Sequence, residues 1–195
     1  MDAASPPRSR GPLGWLRRFR RCQRAVAAVE MALAAPVLIG LLLGTLDVGW
    51  LLLAEYKLQR ASATLADLIA RDRQINERAI ADSFKALAAI TTPFDLGAQG
   101  RALVSSIRDD SGRTPRILWQ RQSQSGITVT SRIGSPGQIA NLDGLIDLER
   151  GESVIVAEIF YRFDPLVGFV VAKPRTLYYA WVATPRYGSL ETVLP

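Results

Sequence analysis

The sequence predicts an α+β protein: a single transmembrane helix that continues outward as one long helix, then a second helix and a small antiparallel sheet. Three observations carry this reading. Residues 25–54, AVAAVEMALAAPVLIGLLLGTLDVGWLLLA, are apolar and from Met31 onward are interrupted by one charge, Asp47. Apolar residues keep a helical spacing past the end of that stretch, as far as Arg71. After Gly97 the period of apolar residues changes to two, which is the signature of strands.

The apolar stretch sets the organisation of the chain. From Met31 it rises about 36 Å at 1.5 Å per residue, enough to cross a hydrocarbon core of about 30 Å. Arg17, Arg18, Arg20, Arg21 and Arg24 precede it. Such a cluster stays on the cytoplasmic side, which orients the helix N-in and C-out. A cleaved secretory signal fits less well, because the stretch exceeds a signal core and no small-x-small site lies just past its end. Residues 1–24 hold seven of the 24 basic side chains and one of the 18 acidic ones, a net of +6, while the rest of the chain is neutral with 17 of each. The high pI therefore belongs to a short arm beside a membrane, which argues against nucleic acid as a partner and for anionic headgroups. Cys22 is the one cysteine, so an intramolecular disulfide is excluded. The complete lack of histidine removes Ser-His-Asp and Cys-His nucleophilic sites and imidazole zinc sites. An enzyme on this chain would have to work with carboxylates, Lys or Tyr.

In order along the chain, the Pro-, Ser-, Gly- and Arg-rich residues 1–14 are expected to be a disordered tail. Leu13 to Gln23 reads as either a short interfacial helix, with Trp15 and Phe19 at headgroup level, or more disordered chain. Residues 1–24 thus form a basic cytoplasmic arm, 25–54 the transmembrane helix, and 55–195 an outer α+β domain. Leu58, Ala61, Leu65, Leu68 and Ile69 carry the first helix outward, about 69 Å from Val26 to Arg71. Asn76 is a good N-cap for a second helix, with Ile75 and Ile80 as a hydrophobic staple and Ile80, Phe84 and Leu87 as its apolar face. Thr91, Thr92 and Pro93 end it. Strands are expected at 101–108, 115–122, 152–163 and 175–184, with a further one at 127–133. In 152–163, Ile155, Ala157, Ile159, Tyr161 and Phe163 alternate on the face expected to meet the helices, and Glu158 and Arg162 mark the other.

Within the anchor, three features exceed what spanning requires. Glu30 is an ionisable group at membrane depth, a functional hypothesis in itself. Gly40 and Gly44 form a GxxxG pair, and with Leu33, Val37, Asp47 and Leu51 they fall on one stripe with Glu30 at its margin. Such a pair reads either as a helix contact or as ordinary membrane-helix composition. Pro36 removes a backbone hydrogen bond and is expected to kink the helix.

The run AVAAVEMALAAPVLIGLLLGTLDVGW resembles the N-terminal signature of TadE-like proteins, pseudopilins of tight-adherence (Flp-type) pilus systems. The matching residues are Glu30 as fifth residue after a cut, Ala32, Leu33, Pro36, and Asp47 followed by Gly49. Gly151 to Leu166 (GESVIVAEIFYRFDPL) and Ala183 to Arg186 (ATPR) are similar to the family's final strands, while the middle matches only in general character. This chain has Ala25 and Met31 where the family commonly has Gly and Phe or Tyr. The resemblance implies cutting between Ala25 and Val26 by a membrane prepilin peptidase. It also implies an inner-membrane location with a periplasmic domain, and assembly with other pilin or pseudopilin subunits and the tight-adherence machinery. Glu30, Gly40, Gly44 and Asp47 are then the helix-assembly residues. The alternative is an unprocessed bitopic tether or assembly factor that never enters a fibre.

Other constellations in the outer domain carry little chemistry. Asp143, Asp147, Glu149 and Glu152 lack the spacing of a calcium loop and read as a solvated acidic turn. Asp109 and Asp110 begin a turn rather than forming a carboxylate pair. Trp119, Tyr161, Tyr178, Tyr179 and Trp181 are read as core, or as a subunit contact patch where two share the outer face. No phosphate loop is present. No catalytic residue, metal or cofactor is expected.

Overall fold

The computed structural model describes residues 23–188 and 190–194. Of the arm expected at residues 1–24, residues 1–22, with Cys22, lie outside them, and Gln23 and Arg24 already belong to the first helix. In chain order the elements are α1 (Gln23–Ala70), β1 (Ile75–Asn76), α2 (Glu77–Thr91), α3 (Leu96–Gln99), β2 (Gly100–Arg108), β3 (Arg116–Gln122), β4 (Ser153–Phe163), β5 (Arg175–Ala183) and β6 (Val193–Leu194). The α+β class read from the sequence is the one observed. Two compact units divide the chain, Met1–Leu46 and Asp47–Pro195, and α1 contributes to both.

In the first unit, the described part is helix alone. It passes through Pro36 without a break in the helical assignment and exposes Val29, Met31, Leu33, Val37 and Leu41. Its one hydroxyl there, on Thr45, donates to the Leu41 carbonyl at 2.8 Å and is thereby satisfied within the helix. By length and composition α1 is suited to cross a membrane.

In the second unit, the same helix becomes a wall of the core. Ala54, Leu58, Ala61, Leu65, Ala66 and Ile69 recur every three or four residues and are fully buried. They pack with Ile80 and Leu87 of α2 and with Ile155, Ala157, Ile159, Tyr161 and Phe163 of β4, the face the alternation predicts. Burying a residue such as Leu58 or Leu65 contributes about 2 kcal/mol of transfer free energy. The expected cap is present: the Asn76 side chain accepts from Ala79 N at 2.7 Å, and α2 ends at Thr91. The sheet runs β3-β2-β4-β5, antiparallel throughout, with Val104 opposite Ala157 and Ala157 opposite Trp181.

Two expectations are corrected by the second face of this sheet. Residues 127–133 form no strand; they belong to an irregular segment between β3 and β4 that lies over the sheet. Ile133, Ala140 and Leu142 from it bury against Ile107, Ile117, Val154 and Val156. In consequence Glu158, expected on a polar outer face with Arg162, is fully buried, while Arg162 is exposed. The segment holds Glu158 through three donors: the Ser131 hydroxyl, Arg132 N at 2.9 Å, and the Tyr178 hydroxyl of β5 at 2.9 Å. A two-residue parallel pair, β1 with β6, ties the C-terminal segment to the chain just after α1.

Candidate anchoring and assembly site

Glu30, Gly40 and Gly44 lie on α1 in the first unit, at spacings that keep both glycines on one side of the helix. Glu30 is exposed and, among the described residues, has no hydrogen-bond or ion-pair partner. Ala25 and Val26, the expected processing positions, are already helical, and Val26 is exposed. Apolar side chains surround these positions, so the segment offers a small-residue surface and one carboxylate with nothing among the described residues to neutralise it.

The stripe continues through Asp47 and Leu51 into the core positions Ala54 and Leu58. Residues 25–67 match the family model for TadE-like protein. No curated protein and no solved structure matches the chain. The TadE-like segment thus takes in both characters of α1, its exposed apolar half and its core-forming half, and stops before the sheet.

Asp47, inside the TadE-like segment, has a different environment from Glu30. It is buried, and its carboxylate accepts four consecutive backbone N–H groups from the β4–β5 loop. Val167 N and Gly168 N donate to Oδ1 at 2.9 and 3.2 Å, and Phe169 N and Val170 N to Oδ2 at 2.6 and 3.0 Å. Successive N–H groups converge in this way when one residue of the turn is left-handed, and Gly168 has φ +79°. Asp47, one of the expected helix-assembly residues, is engaged by its own chain. About two turns further on, Arg175 donates to Glu55 at 3.1 Å and adds an ion pair beside the same loop.

The C-terminal end of the TadE-like segment is also tied down. Asp67 pairs with Arg71 and, at 3.2 Å, with Arg186, whose backbone N–H donates to the Ala70 carbonyl at 2.9 Å. Arg186 therefore satisfies one of the orphan carbonyls at the end of α1 and places a cation at its negative pole. The Asp67 carboxyl lies below the ordinary range, first through the hydrogen bond from Arg71, with Arg186 adding to it. Arg186, the last residue of the ATPR run, thus lies beside the C-terminal end of the segment that matches the family model.

Elsewhere in the domain, polar groups are consumed in structure. Asp109 is buried and accepts from Ser111 N and Gly112 N, both at 2.8 Å, starting the turn expected of it. Glu152 accepts from Glu149 N at 2.9 Å within its own acidic turn. Burial, and then the charge of Glu158, push the Tyr178 phenol above its usual range. Arg132 lies over the Tyr178 ring, 4.1 Å from its centroid. A groove of about 340 Å³ beside Trp50, Phe94 and Tyr161 has Gln99 and Asp164 at its polar end. Tyr161 donates to Gln99, and Gln99 to Asp164, so these groups satisfy one another and pair no nucleophile with a base. Among the described residues no group of three or more Cys, Asp or Glu side chains is placed to hold a metal. Trp119 and Tyr161 are core, whereas Trp181 is half exposed on the edge strand β5.

The residues that sequence reasoning missed are Gly168 and its neighbours, Arg186, and Ser131 opposite Glu158. One local signal was available: Leu166-Val167-Gly168-Phe169 is a glycine within an apolar run just after Asp164-Pro165, which marks a turn.

Proposed function

We propose that this chain is a pseudopilin-like structural or assembly component of a tight-adherence pilus, anchored in the bacterial inner membrane by residues 25–54. Residues 1–24 lie in the cytoplasm and 55–195 in the periplasm. It works by contact with other pilin-like subunits and the assembly machinery rather than by catalysis. The TadE-like match supports the association with such a pilus. The observation that carries the mechanism is the contrast along α1. Asp47 is saturated by its own domain, while Glu30 stands on an apolar helix without a partner among the described residues.

In the assembled state Glu30 meets a cation from a neighbouring helix, which offsets the cost of holding a carboxylate at low dielectric. If a prepilin peptidase cuts after Ala25, that cation is the new α-amino group of Val26 on a second subunit; without cutting, Arg24 is the nearest substitute. Gly40 and Gly44 allow the two helices to approach closely.

For anchoring alone, Glu30→Leu removes a polar cost, so membrane insertion should be unchanged or improved. For assembly, it strips a buried cation of its counter-charge, a loss of about 3–5 kcal/mol. The expected outcome is a normal membrane level of the protein with few or no surface pili, and an intermediate count for Glu30→Gln. Normal piliation in Glu30→Leu would remove Glu30 from the mechanism. N-terminal sequencing of the membrane-extracted protein separates the fibre subunit, which starts at Val26, from a tether that keeps Met1.

A further inference from the structure

The β4–β5 loop shows four large apolar side chains to the outside in succession around one glycine. Leu166, Val167, Phe169 and Val170 are 58%, 46%, 58% and 55% exposed. An exposed apolar cluster of this kind on a loop tip marks a contact surface. Two features of the loop decide what covers it. The first is position: the N–H groups of this loop bond to Asp47, so its tip lies at the level of α1 where the apolar stretch meets its first charge. Residues 26–46 alone rise about 32 Å, already enough for a hydrocarbon core of about 30 Å, so that residues 47–54 of the anchor fall in the headgroup region. The second is backbone chemistry. Irregular chain is excluded from lipid because its N–H groups go unmet. Here the N–H groups of 167–170 are all taken by one carboxylate, and Pro165 and Pro174, which bracket the loop, have none to offer. Lys173, exposed beside the tip and without a carboxylate partner among the described residues, has the reach to bring its ammonium to a phosphate.

We propose that the β4–β5 loop is a second membrane-contacting element, with Leu166, Val167, Phe169 and Val170 seated at the headgroup–acyl boundary of the leaflet that α1 leaves near Asp47, and Lys173 at the lipid phosphates. The proposal rests on the anchoring role of α1. It adds a second point of attachment, so that the domain is held against the bilayer surface at two places.

The test uses the full chain in vesicles of phosphatidylethanolamine and phosphatidylglycerol, in a Cys22→Ser background. An environment-sensitive fluorophore is placed singly at Phe169→Cys, at Leu42→Cys within the anchor, and at Ser135→Cys, an exposed position far from the loop in sequence. All three are surface positions outside the core clusters, so the fold is retained. At position 169 the expected result is a blue shift, strong quenching by a nitroxide carried high on the acyl chain, and loss of quenching by aqueous cobalt, with 135 open to cobalt and 42 quenched from the lipid. Cobalt access at 169 with lipid quenching at 42 overturns the proposal and leaves the anchor standing. Protection of 169 from both quenchers also overturns it, showing a second copy of the chain as the occupant. Cobalt access at 42 overturns the anchor and this proposal together.

Discussion

Asp47 and Gly168 act as one device, though they lie 121 positions apart. The carboxylate supplies acceptors for four N–H groups, and the glycine supplies the left-handed turn that lets those groups converge. Removing each half has a different consequence. Asp47→Ala leaves four donors without their acceptor, whereas Gly168→Ala keeps the acceptor. No neighbouring atom lies within 4 Å of an added Cβ at 168, so only backbone strain of about 1–2 kcal/mol is incurred there. Thermal unfolding in detergent is expected to rank wild type above Gly168→Ala, and Gly168→Ala above Asp47→Ala. Asp109 governs a second residue-scale effect. Burial alone would raise its pKa, but the N–H bonds from Ser111 and Gly112 overcome this and leave it below the ordinary carboxylate range. A carboxyl lowered in the folded state contributes stability that is complete above its unfolded value, about 4, and is lost as pH falls through the folded value. The unfolding midpoint should therefore drop on acidification below about pH 4, and should depend less on pH there in Asp109→Asn.

At the scale of elements, the sheet owes its stability to two cores of different legibility. The helix-side core is announced by local pattern: the three-and-four spacing from Ala54 to Ile69, and the alternation from Ile155 to Phe163. The Asn76 cap and the strand ends were legible for the same reason, since turn and cap chemistry is written in neighbouring residues. The opposite core is not announced. Ile133, Ala140 and Leu142 reach it from chain with no period, held by side-chain bonds such as Ser131 to Glu158 and by the single bridge of Arg116 with Ile139. A run like 127–133 satisfies a strand template locally, yet it pairs with neither edge strand, β3 or β5. The Asp47 loop escaped notice on similar grounds, because its pairing spans the chain. If the irregular segment is a true core layer, Ile133→Ala should cost about 2–4 kcal/mol in chemical denaturation, as a buried helix residue would. A value near zero would reduce the segment to a loose cover.

For the whole molecule, the last residues complete what the first helix begins. Arg186 caps α1, and the Leu190 carbonyl accepts from both the Ser106 hydroxyl and the Trp119 indole at 2.8 Å. Val193 then pairs with Ile75. Truncation after Thr184 strips the helix end of Arg186 and leaves two buried donors without an acceptor, each costing about 1–3 kcal/mol. The shortened chain is expected to be degraded faster in cells, with loss of Trp119 emission characteristic of a buried indole as the check. The same closure bears on biosynthesis. Nascent chain emerges in sequence, so Ser106 and Trp119 wait for an acceptor that lies 84 and 71 positions further along the chain. Chains arrested before Leu190 should be cut readily by protease within the sheet, and extension by a few more residues past Val193 should abolish that sensitivity. The domain thus reaches its final state only once Leu190 and Val193 have emerged, which leaves an interval in which chaperones or proteases can act on it.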